Sequence, residues 1–157
     1  MTFTVRDMRV EDVLACVEIL NHIVALGGST AREDLCDVRE FKAHYLERSE
    51  ISNVVVSDDR IVGFQTALEV ERGVFSIGTF TDRRDPAKGA GRAILAKSVA
   101  DARALNGTAI LAKITSDNVG GLAFYAKMGF ADSEVIKGDL TRKNGQTVDR
   151  IVKRMTL

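Results

Sequence analysis

The run Ala109-Ile110-Leu111-Ala112-Lys113-Ile114 constrains this chain more than any other segment. It is short and almost continuously apolar, the pattern of a strand buried on both faces in the middle of a sheet. An Ala-rich stretch over 93–105 precedes it, with Leu95, Val99 and Ala102 at helical spacing. A short helix over 118–128 follows, with Gly129 as its C-cap.

The upstream pattern is of a different kind. Residues 3–6 alternate as a short strand, and Val10, Val13, Leu14, Val17, Leu20 and Val24 then fall at helical spacing. Gly27-Gly28-Ser29-Thr30 ends that helix, and a second helix is predicted over 38–48. Strands are predicted over 53–57, 61–70 and 74–81, the first two joined by the polar turn Asp58-Asp59-Arg60. Two more, over 131–136 and 147–155, flank the hairpin signal Asn144-Gly145. The order is strand, two helices, three strands, helix, strand, helix, two strands. That predicts a mixed α/β fold with a central, mostly antiparallel, twisted sheet of about seven strands flanked by about four helices. It is not the regular alternation of a doubly wound fold. At 157 residues, one domain over 1–157 is expected.

Composition narrows the function. Lys plus Arg and Asp plus Glu both number 22, so the net charge is +0 and no nucleic-acid partner is expected. No apolar run approaches the roughly 18 residues of a membrane span. No basic and then apolar leader opens the sequence, so no membrane partner and a cytoplasmic location are expected. Cys16 and Cys36 lie far apart with no C-x-x-C, as reduced core thiols would. His22 and His44 lack metal-ligand spacing, so no metal is expected.

Two segments can carry chemistry. Lys88-Gly89-Ala90-Gly91-Arg92 lies between a strand and a helix. Glycines there let backbone N–H groups approach an anion, and the helix N-terminus adds partial positive charge. It lacks the third glycine of a dinucleotide fingerprint and the Gly-Lys-Ser/Thr ending of a P-loop. It is equally readable as an ordinary strand-to-helix loop. The second segment runs from Asn118 to Phe130. Phe124 and Met128 are i,i+4 and predicted to face the core, with Tyr125 one step round the helix. Tyr125 is a candidate proton donor, or else a structural tyrosine with a satisfied hydroxyl.

A strand, a Gly-x-Gly loop, a helix, a strand and then Asn118…Phe124-Tyr125-x-Lys127-x-Gly129-Phe130 resembles the GNAT superfamily of acyl-CoA N-acyltransferases. The specific part spans 75–130, and the element order extends over most of the chain. Asn21-His22-Ile23-Val24 and Thr30-Ala31-Arg32-Glu33 are similar to the branch containing phosphinothricin and small L-amino-acid N-acetyltransferases. The resemblance implies acetyl-CoA as cosubstrate. It implies that the strand end Phe80-Thr81-Asp82 binds the pantetheine arm and that Lys88, Gly89, Ala90, Gly91 and Arg92 bind the pyrophosphate. It also implies that Asn118 contacts the coenzyme arm and that Tyr125 lies near the thioester sulfur. His22 and Glu33 are implied near the acceptor; each also reads as an ordinary surface or capping side chain. A homodimer is implied by the resemblance alone. Two departures stand out: Pro86 sits where the family loop usually begins with Gln or Arg, and Ser76 where this branch tends to carry a glutamate base.

These residues imply direct acetyl transfer from acetyl-CoA to the primary amine of a small molecule, possible acceptors including an amino acid or analogue. Tyr125 would protonate the leaving thiolate, since tyrosine titrates at about 10 and a thiol at about 8.5. Without a dedicated base, an α-amine at about 7.7–8.0 is a far easier acceptor than a lysine at about 10.4. Glu33, Glu69 or Glu71 could serve through water. The competing readings are a catalytically weak acyl-CoA-binding or sensing domain, and a protein N-terminal acetyltransferase.

Overall fold

Local chemistry places the elements in the computed structural model, which describes residues 2–157. Strand β1 (Thr4–Asp7) leads through a 3-10 turn (Val10–Asp12) into α1 (Val13–Leu26). Helix α2 (Val38–Phe41) starts at Asp37, whose carboxylate accepts from the Glu40 N–H, and is prolonged by a π-helical turn over Lys42–Glu47. Strands β2 (Ile51–Ser57) and β3 (Arg60–Glu71) form a two-residue hairpin. Asp58 and Asp59 both have positive φ, 51° and 58°, as the twist-compatible hairpin turn requires. Then come β4 (Val74–Thr81), α3 (Ala90–Ala104), β5 (Ala109–Thr115), α4 (Val119–Lys127), β6 (Ala131–Thr141) and β7 (Thr147–Thr156).

The element order is the predicted one, and the sheet order is β1-β2-β3-β4-β5-β7-β6. The apolar run is the near-central strand β5, and β4·β5 is the parallel pair in an otherwise antiparallel sheet. Three boundaries move. Helix α3 begins at Ala90, inside the predicted loop, and β2 begins at Ile51. Strand β6 runs on to Thr141, because it is an exposed edge strand whose polar residues carry no burial signal.

Each face of the sheet has its own core. Cys16, Ile19, Leu20, Ile23 and Phe41 of α1 and α2 pack on Val54 and Phe64. Leu95, Ala102 and Tyr125 of α3 and α4 pack on Ala67, Ile77, Ala112 and Ile114. Cys16 and Cys36 are buried free thiols, as predicted.

One irregularity matters most. The β4·β5 register runs from Val74↔Ala109 to Ile77↔Ala112 and stops there, although both strands continue. Past that point the strands diverge, and backbone groups on the facing edge of β4 open onto a gap that needs other partners.

Candidate active site

The gap joins two cavities. One, of about 430 Å³, lies between the 87–92 segment, the end of β4 and the start of α4. It is lined by Lys88, Gly89, Ala90, Gly91 and Arg92, by Phe80 and Thr81, and by Asn118 and Tyr125. The other, of about 370 Å³, lies on the α1–α2 face of the sheet. Ser29, Thr79, Phe80, Asn118 and Tyr125 line both.

The first cavity suits an anion. Arg83, Lys88, Arg92 and Lys127 line it, and no carboxylate does. Gly89 is the left-handed residue that turns the chain into α3, at φ +92°. Gly91 must lack a side chain, because a Cβ there would stand 2.7 Å from the Phe124 ring. That ring lines the cavity rather than facing the core as the i,i+4 pattern predicted; Tyr125 is the buried residue of the pair. The helix turns slightly further than the sequence pattern implied. Pro86 is exposed and is not among the lining residues.

Helix α4 holds Tyr125 from both ends. At its start the Asn118 carboxamide accepts from the Gly121 N–H at 2.9 Å and donates to the Ser29 carbonyl at 2.9 Å. At its end Phe130 N–H bonds the Tyr125 carbonyl at 3.0 Å and Gly129 N–H the Ala126 carbonyl at 3.1 Å. This is a Schellman closure with Gly129 left-handed at φ +96°. The Phe130 ring completes it against Tyr125, 5.1 Å between centroids.

The Tyr125 hydroxyl reaches the gap, 2.7 Å from Thr79 Oγ1 on β4. Thr79 Oγ1 in turn accepts from Gln65 Nε2 at 2.7 Å. With that lone pair occupied, Thr79 can donate its own proton to the Tyr125 oxygen, leaving the phenol O–H free to point into the gap. Gln65 is wholly buried, and its Oε1 has no partner, a costly placement whose one side-chain hydrogen bond serves Thr79. Burial pushes the Tyr125 phenol up to about 12, so it stays protonated across the neutral range.

Other sequence candidates lie elsewhere. Asp82 is buried outside the cavity lining. It accepts from Arg84 Nε at 3.0 Å and from Arg60 at 3.1 Å, so it anchors the turn that follows β4. His22 is half-buried on α1 and lines neither cavity. Glu33 lies in a separate groove, where its carboxylate accepts from the Lys143 N–H at 3.0 Å and pairs with Arg142 at 3.8 Å. Ser76 lines the second cavity. Glu69 does not; it is exposed and accepts from the Gly73 N–H at 3.0 Å. Among the described residues, no group of three or more His, Cys, Asp or Glu is placed to hold a metal ion. No helix among them is long and apolar enough to cross a membrane.

Sequence reasoning missed Gln65, Thr79, His44, Lys113 and Arg150. Thr79 was findable, since it alternates with the core residues of β4. The others required knowing which face of the sheet stays uncovered.

The fold recurs in solved structures. The chain superposes on yncA of Salmonella typhimurium, solved with its cofactor acetyl-CoA, at a TM-score of 0.89 and 19% identity, covering 100% of this chain and 95% of that one. It matches a phosphinothricin acetyltransferase from Sinorhizobium meliloti in complex with acetyl-CoA at 0.89 and 20% identity, over 100% and 89%. A ribosomal-protein-alanine N-acetyltransferase from Brucella melitensis matches at 0.87 and 21%, over 98% and 99%. At such identities the likeness establishes the fold. No curated protein matches the chain significantly. The sequence pattern of the Acetyltransferase (GNAT) family matches residues 18–130. That match takes in more than half of the chain and includes the loop, both diverging strands and α4, so the chain belongs to the GNAT acetyltransferase family.

Proposed function

We propose that the protein transfers the acetyl group of acetyl-CoA directly to the primary amine of a small molecule, with both substrates bound at once. The observation that carries this reading is the Tyr125 hydroxyl at the junction of the two cavities. The cation-lined cavity takes the coenzyme, and the one on the α1–α2 face takes the amine. Two of the acetyltransferases with this fold were solved with acetyl-CoA, which supports the choice of donor.

Acetyl-CoA supplies a thioester: the amine lone pair forms the C–N bond, the C–S bond breaks with its pair on sulfur, and one proton leaves the amine. The chain's residues manage the charges. Lys88, Arg92 and the N–H groups of the Gly89–Gly91 turn bind the pyrophosphate. Free backbone N–H groups on the divergent end of β4 polarise the carbonyl. Tyr125 gives its proton to sulfur and regains one from solvent. The burial that raises the phenol also disfavours a thiolate formed beside it, which keeps that transfer feasible. No carboxylate lines the amine cavity, so the amine proton leaves to water. The positive lining of that cavity disfavours the ammonium form and thereby lowers the need for a base.

The test is a thermal melt with acetyl-CoA, using ATP and NADH as controls, followed by an amine screen. At 100 times its Kd a ligand adds about 2.7 kcal/mol of stability, or roughly 5–11 °C for a domain of this size. That shift with acetyl-CoA alone, and turnover lost in Tyr125→Phe, is the expected result. Binding without turnover on any amine would make the protein an acyl-CoA sensor. Turnover on peptide N-termini alone would make it a protein N-terminal acetyltransferase.

A further inference from the structure

The amine cavity has an electrostatic character of its own. Its walls come from one face of the sheet: Ser76 on β4, Lys113 on β5 and Arg150 on β7 all point to the α1–α2 side. Thr115 pairs directly with Arg150, and Lys113 lies two residues before Thr115, so Lys113 and Arg150 are diagonal neighbours on that face. Such neighbours stand roughly 7–8 Å apart, within reach of one small anion for side chains this long.

Lys113 and Arg150 are the charged side chains of the lining, and both are cations. His44, at the rim, is held low by burial and by Arg48 and Arg32, so it is neutral near pH 7. Neither cation is neutralised from within the cavity. Lys113 is exposed and has no ion pair among the described residues. Arg150 has one carboxylate near it, Asp139 on β6, whose Oδ2 is 3.3 Å from Nε. The geometry there does not make a hydrogen bond, and Nε is buried without a hydrogen-bond partner. A buried guanidinium N–H in that state has donor capacity to spare, and its planar fork suits a carboxylate.

We infer that the acceptor is a small amine bearing a carboxylate, which Arg150 and Lys113 hold while the amine reaches the gap at Thr79 and Tyr125. This rests on the transferase reading proposed above and narrows it to anionic acceptors. Polyamines, aminoglycosides and other amines with a second positive charge are disfavoured by the same two cations. The volume of about 370 Å³ lies at the small end of ligand cavities and suits a molecule of amino-acid size.

The experiment compares α-amino acids with their primary amides and their decarboxylated amines, at saturating acetyl-CoA, in the native protein, Lys113→Met, Arg150→Met and Arg150→Lys. The amide is the sharper control. Its amine is less basic and so more often unprotonated, and any preference for the acid must come from recognition of its charge. The expected result is a kcat/KM at least ten-fold higher for an acid than for its amide. Lys113→Met and Arg150→Met shrink that ratio, and Arg150→Lys retains part of it. Lys113 is exposed, so its variant keeps the test alive if Arg150→Met fails to fold. Equal rates for acid and amide, or faster reaction of cationic amines, would overturn the inference and leave the transferase reading intact. Acetyl-CoA binding without turnover on any amine would overturn the transferase reading and this inference with it.

Discussion

At the scale of single residues the site rests on the chain Gln65–Thr79–Tyr125, two hydrogen bonds of 2.7 Å that run from the core to the gap. Tyr125→Phe removes the donor and keeps the ring packing, so kcat should fall by about 10²-fold or more while acetyl-CoA still shifts the melt. Because burial holds the phenol at about 12, the native enzyme should show no loss of rate from Tyr125 ionisation below pH 10. A pH–rate profile of native and Tyr125→Phe enzymes checks both statements. Thr79→Val keeps the shape and strands its two hydrogen-bonding neighbours. It should cost about 1–3 kcal/mol of stability and lower kcat, and Thr79→Ser should restore both. Tyr125 was legible in the sequence because a motif carries it. Gln65 and Thr79 were not, since a polar residue on a strand shows its partner only when the facing helix is in place.

At the scale of elements, α4 shows how local chemistry aims a side chain. The Asn118 cap, the left-handed Gly129 and the Phe130–Tyr125 contact fix both ends of a nine-residue helix. A Cβ at Gly129 would meet nothing within 4 Å, so Gly129→Ala pays only for left-handed backbone. The expected cost is about 1–2 kcal/mol. Calorimetry should show this as a fall in Tm of roughly 2–8 °C. Gly91→Ala tests the opposite case. Its Cβ would drive the Phe124 ring into the coenzyme cavity, so acetyl-CoA affinity should fall more than stability does, read by titration against the unliganded melt. The cap, the glycine C-cap and the strand-loop-helix order were all visible as sequence signals. The start of α3 was not, because Ala90 and Gly91 read as loop composition although they form the helix's first turn.

At the scale of the whole molecule, buried carboxylates tie distant segments together. Arg84 holds Asp82 below the usual carboxylate range. Burial alone would raise Asp12 and Asp117, but their hydrogen bonds to Arg6 and Arg142 outweigh it and both are lowered. Groups depressed in the fold stabilise it above their unfolded pKa of about 3.9, and that contribution is lost as pH falls through the folded values. Tm should therefore be insensitive to these groups above about pH 5 and fall steeply below about pH 4, measured by melts between pH 7 and 2.5. Arg142 shows why no sequence pattern exposes such ties. It reaches Asp117 at 2.9 Å and also bonds the Thr30 carbonyl, joining the β6–β7 turn to the loop after α1 across more than a hundred residues of sequence. The sequence by itself determined the element order, the near-central strand β5, the anion-binding turn at Gly89–Gly91 and the position of Tyr125, because periodicity, turn chemistry and capping act within a few residues. Only the tertiary structure decided that β4 and β5 part after Ile77 and Ala112, that Glu33 and His22 stand outside the cavities, and that Lys113 and Arg150 share one wall. Those outcomes depend on strand register and on which sheet face a helix leaves uncovered, and both are set by packing between segments far apart in the chain.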